Sequence, residues 1–102
     1  MDTYEPIRFR GLERRELLGN AVPVAARPLS RLLGLALLSR ERAGAGLLIP
    51  HCRSVHTFGM RFRLDLVFLD AEGRVVELRR AVPPGRFIRC SGAMAVLELP
   101  SP

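Results

Sequence analysis

The stretch Cys52-Arg-Ser-Val-His-Thr-Phe-Gly-Met60-Arg-Phe-Arg-Leu-Asp-Leu-Val-Phe-Leu-Asp70 holds the densest apolar run of this 102-residue chain. From Met60 the residues alternate. Met60, Phe62, Leu64, Leu66 and Phe68 fall on one face, and Arg61, Arg63, Asp65, Val67 and Leu69 on the other, which is the period of a β-strand. The first set is predicted to face a core. The second face changes from polar to apolar midway, and a polar lead-in, Cys52 to Gly59, precedes the strand.

On the carboxyl side, Asp70-Ala-Glu-Gly73 leads into Arg74-Val-Val-Glu-Leu-Arg-Arg80, and a glycine at the last loop position predicts a hairpin. Pro83-Pro-Gly85 breaks the sheet, after which Phe87–Cys90 and Ala93–Leu99 read as closing strands. On the amino side, Leu47-Leu-Ile49, ended by Pro50, and Val55–Phe58 read as short strands. Pro28 to about Arg40 is predicted to be a helix. Leu29, Leu32, Leu33, Ala36 and Leu37 fall at helical spacing, Pro28 suits a first turn, and Ala43-Gly-Ala-Gly46 stops the run. Ala21–Ala25 reads as a short strand held at an edge or end by Pro23. Ile7–Leu12, with alternating arginines, reads as an edge strand. The predicted fold is therefore α+β, mostly antiparallel. It would be a strongly bent sheet or partly closed barrel with one helix packed across it.

Length and composition fit one domain over residues 1–102, with 1–20 an amino-terminal extension and 21–99 the core. All 16 basic residues are arginine, against 10 acidic ones, for a net charge of +6. The arginines are scattered from Arg8 to Arg89 and never exceed two in a row. With one Tyr and no Trp, the chain lacks the clustered charge and stacking aromatics of a nucleic-acid binder, so charge alone supports only weak binding of that kind. Leu32–Leu38, bracketed by Arg31 and Arg40, falls short of the roughly 18 apolar residues that span a bilayer. The amino terminus does not read as a signal peptide, so a cytoplasmic location is expected.

Several of these stretches carry a resemblance. Gly46–Ile49, Cys52–Met60, Leu64–Asp70 with Gly73-Arg-Val-Val76, and Ala95-Val-Leu-Glu-Leu99 are similar to the domain of unknown function 192 family, and Leu33-Gly34-Leu35 resembles that family's helix. The resemblance implies a fold and the location of a site, but no reaction. Many relatives have Trp-Met-Lys-Asn-Thr where this chain has His56-Thr-Phe-Gly-Met60, and Pro where it has Arg63, so the lead-in is where this chain departs most.

The candidate site follows from the lead-in. His56, Thr57 and Phe58, with Arg53 and Arg61 beside them, offer an aromatic wall and guanidinium forks that suit a small anionic ligand or a protein partner. The bland reading makes Phe58 core and the arginines solvated. Asp65 is an acid within the most apolar strand, which is costly unless it is bonded. It reads as paired with Arg63 or Arg79, or as a backbone anchor, before it reads as a functional acid. Cys52 and His56, with Asp65, would be the set for a small enzyme, but no oxyanion hole is evident. His51, Cys52, His56 and Cys90 match no metal-ligand spacing, so neither a metal nor a cofactor is expected. A disulfide between Cys52 and Cys90 conflicts with a reducing compartment. The function expected is a non-catalytic binding or accessory module using residues 51–61, as a monomer or weak dimer.

Overall fold

The computed structural model describes residues 7–102, apart from the side chains of Ile7, Pro28, Leu29 and Leu32. Leu29 and Leu32, two positions of the predicted helical stripe, therefore lie outside the described residues. Among those described, the strands in chain order are β1 (Arg14–Leu17), β2 (Asn20–Pro23), β3 (Leu47–Pro50), β4 (Ser54–His56), β5 (Leu64–Leu69), β6 (Val75–Val82), β7 (Phe87–Arg89) and β8 (Ala95–Pro100). They form a four-stranded sheet of order β3-β8-β5-β6 and two ribbons, β1-β2 and β4-β7. All of these ladders are antiparallel.

The centre is β5, paired with β6 on one side and β8 on the other, and buried along its whole length. Its alternation sends Leu64, Leu66 and Phe68 into the larger core with Leu35, Leu47, Ile49 and Val96. Val67 and Leu69 enter a second core on the other face with Val22, Val24, Leu48 and Leu97. The midway change from polar to apolar in the sequence is thus the point where the second core begins. Each of these large side chains contributes about 1.5–3 kcal/mol through burial, so two small cores share the load. The predicted hairpin forms across Asp70–Gly73. Asp70 Oδ1 accepts the N–H groups of Glu72 and Arg74 at 2.9 and 2.8 Å.

The expected α+β class is corrected to an essentially all-β fold, because the predicted helix does not run from Pro28 to Arg40. It breaks into α1 (Pro28–Leu33) and α2 (Arg40–Ala43). At Gly34 the backbone turns to φ 53° and ψ −127°, a region open only to glycine. A Cβ there would lie 2.8 Å from the Glu98 Oε1 atom of β8. The Glu98 carboxyl also bonds the backbone N–H of Leu35. A buried acid thus replaces the next helical turn, which is a tertiary override that periodicity cannot report. Leu35, Ala36 and Leu38 still enter the core, from an irregular segment.

The partly closed barrel is also overturned, since β3 and β6 remain the two edges of the central sheet. The β3–β8 ladder ends at the Pro50–Ala95 pair. His51 then turns the chain at φ 51°, and it leaves to pair with β7 in a separate ribbon. Two local expectations fail in the same manner. Ile7–Phe9 is a 3-10 turn rather than a strand, and the long strand begins at Leu64 rather than Met60.

Arginine side chains fasten the segments between strands. Arg8 donates to the carbonyl of Gly34, Arg27 to that of Arg10, Arg31 to that of Pro50, Arg40 to that of Ser101 and Arg63 to that of Ala81. Much of the basic charge is thereby committed to backbone. Among the described residues no helix is long and apolar enough to cross a membrane.

Candidate functional site

The lead-in is bent rather than extended, and the bend is made by Thr57. Its side chain is fully buried. The Thr57 hydroxyl donates to the Pro83 carbonyl at 2.8 Å and accepts the Arg86 N–H at 2.8 Å. Its own N–H donates to the Arg86 carbonyl and its carbonyl accepts from Gly85. Thr57 thus pins the Pro83–Arg86 loop, and its hydroxyl faces inward. Asp65 is likewise committed. It is 8% exposed, and its Oδ1 accepts the N–H of Ala81 at 2.8 Å, where β6 carries an irregularity opposite Leu64–Leu66. Arg63 does not pair with Asp65 but donates to the carbonyl of the same Ala81 at 3.2 Å.

His56 turns outward from β4. Its ring stacks on Phe58 with centroids 5.7 Å apart, and its Nδ1 accepts the Phe58 N–H at 3.2 Å. In the neutral ring that bond leaves the proton on Nε2. Phe58 is exposed rather than core, and Arg53 and Arg61 are exposed. Of the six residues singled out in the sequence, His56 alone lines the cleft described next. Thr57 and Asp65 are structural ties elsewhere, and Arg53, Phe58 and Arg61 stand outside the lining.

That cleft has a volume of about 160 Å³. Arg31, Leu33 and Gly34 form one wall, Ile49 and Cys52 another, and Ser54, Val55, His56 and Phe87 a third, with Glu98 also in the lining. Cys52 and His56 therefore share a cleft, whereas Asp65, bonded to Ala81, is not part of it. The Cys52 thiol donates to the Ser54 carbonyl at 2.9 Å. Cys52 and Cys90 are both free thiols. Among the described residues no three His, Cys, Asp or Glu side chains converge as metal ligands would.

Glu98 is the residue that the sequence reading missed. It is 3% exposed, and its Oε1 has no hydrogen-bond partner. Burial raises its pKa from the ordinary 4.5 to about 7, with the Leu35 N–H pulling the other way. Near neutrality this carboxyl exists in both protonation states, so it can accept or donate a hydrogen bond. The signal was available: Glu98 is a lone acid in Ala95-Val-Leu-Glu-Leu99, the same pattern that drew attention to Asp65. Two glycines make room for it. Gly34 faces its carboxyl, and at Gly46, with φ 118°, a Cβ would collide with the Glu98 carbonyl oxygen.

A second cavity of about 260 Å³ lies beside Arg15, Leu48, His51, Asp70 and Met94. It is larger, but its one acid, Asp70, is already held by the hairpin turn through Glu72 and Arg74. The smaller cleft is the one with a buried polar atom left unpaired.

The chain belongs to the domain of unknown function 192 (DUF192) family, whose model, described as "Uncharacterized ACR", matches residues 8–101. Among solved structures it is similar to a protein from Sinorhizobium meliloti 1021 provisionally described as a transcription regulator. The TM-score is 0.69 and the identity 23%, over 79% of this chain and 68% of that one. It is also similar to a protein of unknown function from Novosphingobium aromaticivorans DSM 12444, with a TM-score of 0.62 and 18% identity over 86% and 71% of the two chains. At those identities the likeness establishes the fold alone. No curated protein matches the chain.

Proposed function

We propose that this small DUF192 domain is a non-catalytic binding module whose ligand enters the cleft between α1, β4, β7 and β8. The observation that carries the reading is the unpartnered Oε1 of Glu98 among residues that line a cleft. A polar atom left unpaired in a core costs about 1–3 kcal/mol, a cost that a bound ligand can relieve. Arg31 and His56 add donors to the same cleft, and Phe87, which is 65% exposed, supplies an aromatic edge. Arg53, Phe58 and Arg61 become the outer rim, reached by a larger ligand or by a protein partner. The setting proposed is cytoplasmic, where the thiols of Cys52 and Cys90 would stay reduced.

The test is a thermal-shift screen over small anions, amines, amino acids, sugars and short peptides, run on wild type and on His56→Ala. A compound that raises the wild-type melting temperature, and raises it less in His56→Ala, supports the cleft. If no compound shifts either protein, the small-ligand reading is wrong and a protein partner at the rim takes its place.

A further inference from the structure

Resting on the cleft just proposed, we infer that its ligand is a small zwitterion, with a primary ammonium group on the Glu98 carboxylate and a carboxylate group at Arg31. A free amino acid has this chemistry.

Three observations lead there. First, Oε1 of Glu98 is the one buried side-chain oxygen or nitrogen without a partner among the described residues. A ligand that relieves it must bring a donor. An ammonium is the donor best suited to a carboxyl whose charged form is held back by burial rather than by a neighbouring charge, because it restores the carboxylate and forms a charge-assisted bond. Second, Arg31 lines the same cleft while giving one Nη to the Pro50 carbonyl and the other, at 3.4 Å, to that of His51. A guanidinium has five N–H donors, so these bonds leave others for a carboxylate. Third, a cleft of about 160 Å³ has room for several waters. That suits a ligand of amino-acid size, and Leu33, Ile49 and Val55 supply an apolar wall for its carbon atoms.

The other titratable and charged groups around the carboxyl fit this assignment. Arg31 comes from α1, Cys52 from the turn after β3 and His56 from β4. Arg8, from the amino-terminal turn, is bound to the Gly34 carbonyl. None of them is an acid that would compete for the ammonium.

Isothermal titration of the full chain with glycine, alanine, β-alanine and valine, each beside its analogue lacking the amine (acetate for glycine, propionate for alanine and β-alanine, 3-methylbutanoate for valine), tests the inference. At least one amino acid is expected to bind at least tenfold more tightly than its amine-free partner. Binding at pH 7 should release protons, read from the dependence of the heat on buffer ionisation enthalpy, because the ammonium drives Glu98 to its charged form. Glu98→Gln, checked for folding by circular dichroism, should lose that preference and the proton release. Equal binding of amino acids and their amine-free analogues, or unchanged binding by Glu98→Gln, overturns the zwitterion while leaving the cleft intact. If neither these probes nor any compound of the thermal screen binds, the cleft reading itself falls.

Discussion

The Asp65 carboxylate and the Ala81 backbone are tied at 2.8 Å, Oδ1 accepting the N–H, at the point where β6 carries two residues opposite one of β5. Among the described residues, Ala81 is one of four non-glycine residues with positive φ, at 52°. The bond satisfies an N–H that the irregular ladder would otherwise leave unpaired, and it keeps an acid inside the sheet without a counter-charge. Asp65→Ala should therefore destabilise the fold by about 1–3 kcal/mol. That corresponds to a fall in melting temperature of roughly 4–8 °C per kcal/mol for a chain of this size. Asp65→Asn, which retains an oxygen acceptor, should lose less. An unchanged melting temperature for Asp65→Ala would move this acid from the scaffold to the functional list.

Glu98 makes stability depend on pH in the opposite sense to a salt-bridged acid. Its folded pKa, about 7, lies above its ordinary 4.5. The fold therefore favours the protonated form. The contribution is complete below about pH 4.5 and is lost as pH rises through 7. The loss is on the order of 3 kcal/mol, from 1.36 kcal/mol per pKa unit. Urea denaturation of wild type and Glu98→Gln at pH 5 and pH 8 isolates this term, since the variant cannot ionise there. Wild type should lose stability relative to the variant between the two pH values, and a constant difference would show that Glu98 does not titrate in that window.

Gly34 is fixed by both its backbone and its neighbour. Gly34→Ala places a Cβ 2.8 Å from Glu98 Oε1 at a φ of 53°. It should cost about 1–3 kcal/mol from the backbone conformation alone, before the contact is counted. Gly44→Ala is the control. Its φ is 61°, but nothing lies within 4 Å of the added carbon, so it should be the milder variant in the same thermal melts. Equal losses would mean that the Glu98 carboxyl yields freely.

Thr57→Val preserves shape but leaves the Pro83 carbonyl and the Arg86 N–H without the hydroxyl. A loss of about 1–3 kcal/mol is expected. Amide hydrogen exchange should rise first at Gly85 and Arg86, whose N–H groups bond to Thr57. Uniformly raised exchange across the chain, with no excess at those two amides, would argue against a local pin.

Much of the scaffold was legible because period-two alternation reports a strand directly. The β5 faces, the Asp70–Gly73 hairpin and the closing strand after Met94 follow from local pattern and turn chemistry. The helix was misread because Leu29–Leu37 has helical spacing while Gly34 meets an acid 64 positions away in sequence, and no window of neighbours contains that contact. The candidate cleft was legible by region only. Of the six residues singled out, His56 lines it, whereas Thr57 and Asp65 are polar residues whose bonds turn inward. Glu98 reads as part of a closing strand, although, like Asp65, it is a lone acid within an apolar strand.

The arginine seams carry a practical consequence for altering this protein. Arg8, Arg27, Arg31, Arg40 and Arg63 each bridge to a carbonyl at least 17 positions away. Its high isoelectric point therefore cannot be lowered indiscriminately. Replacing these five by glutamate or glutamine would release loops as well as charge, whereas Arg80 and Arg89, exposed and outside both the cleft lining and its proposed rim, are the rational places to begin.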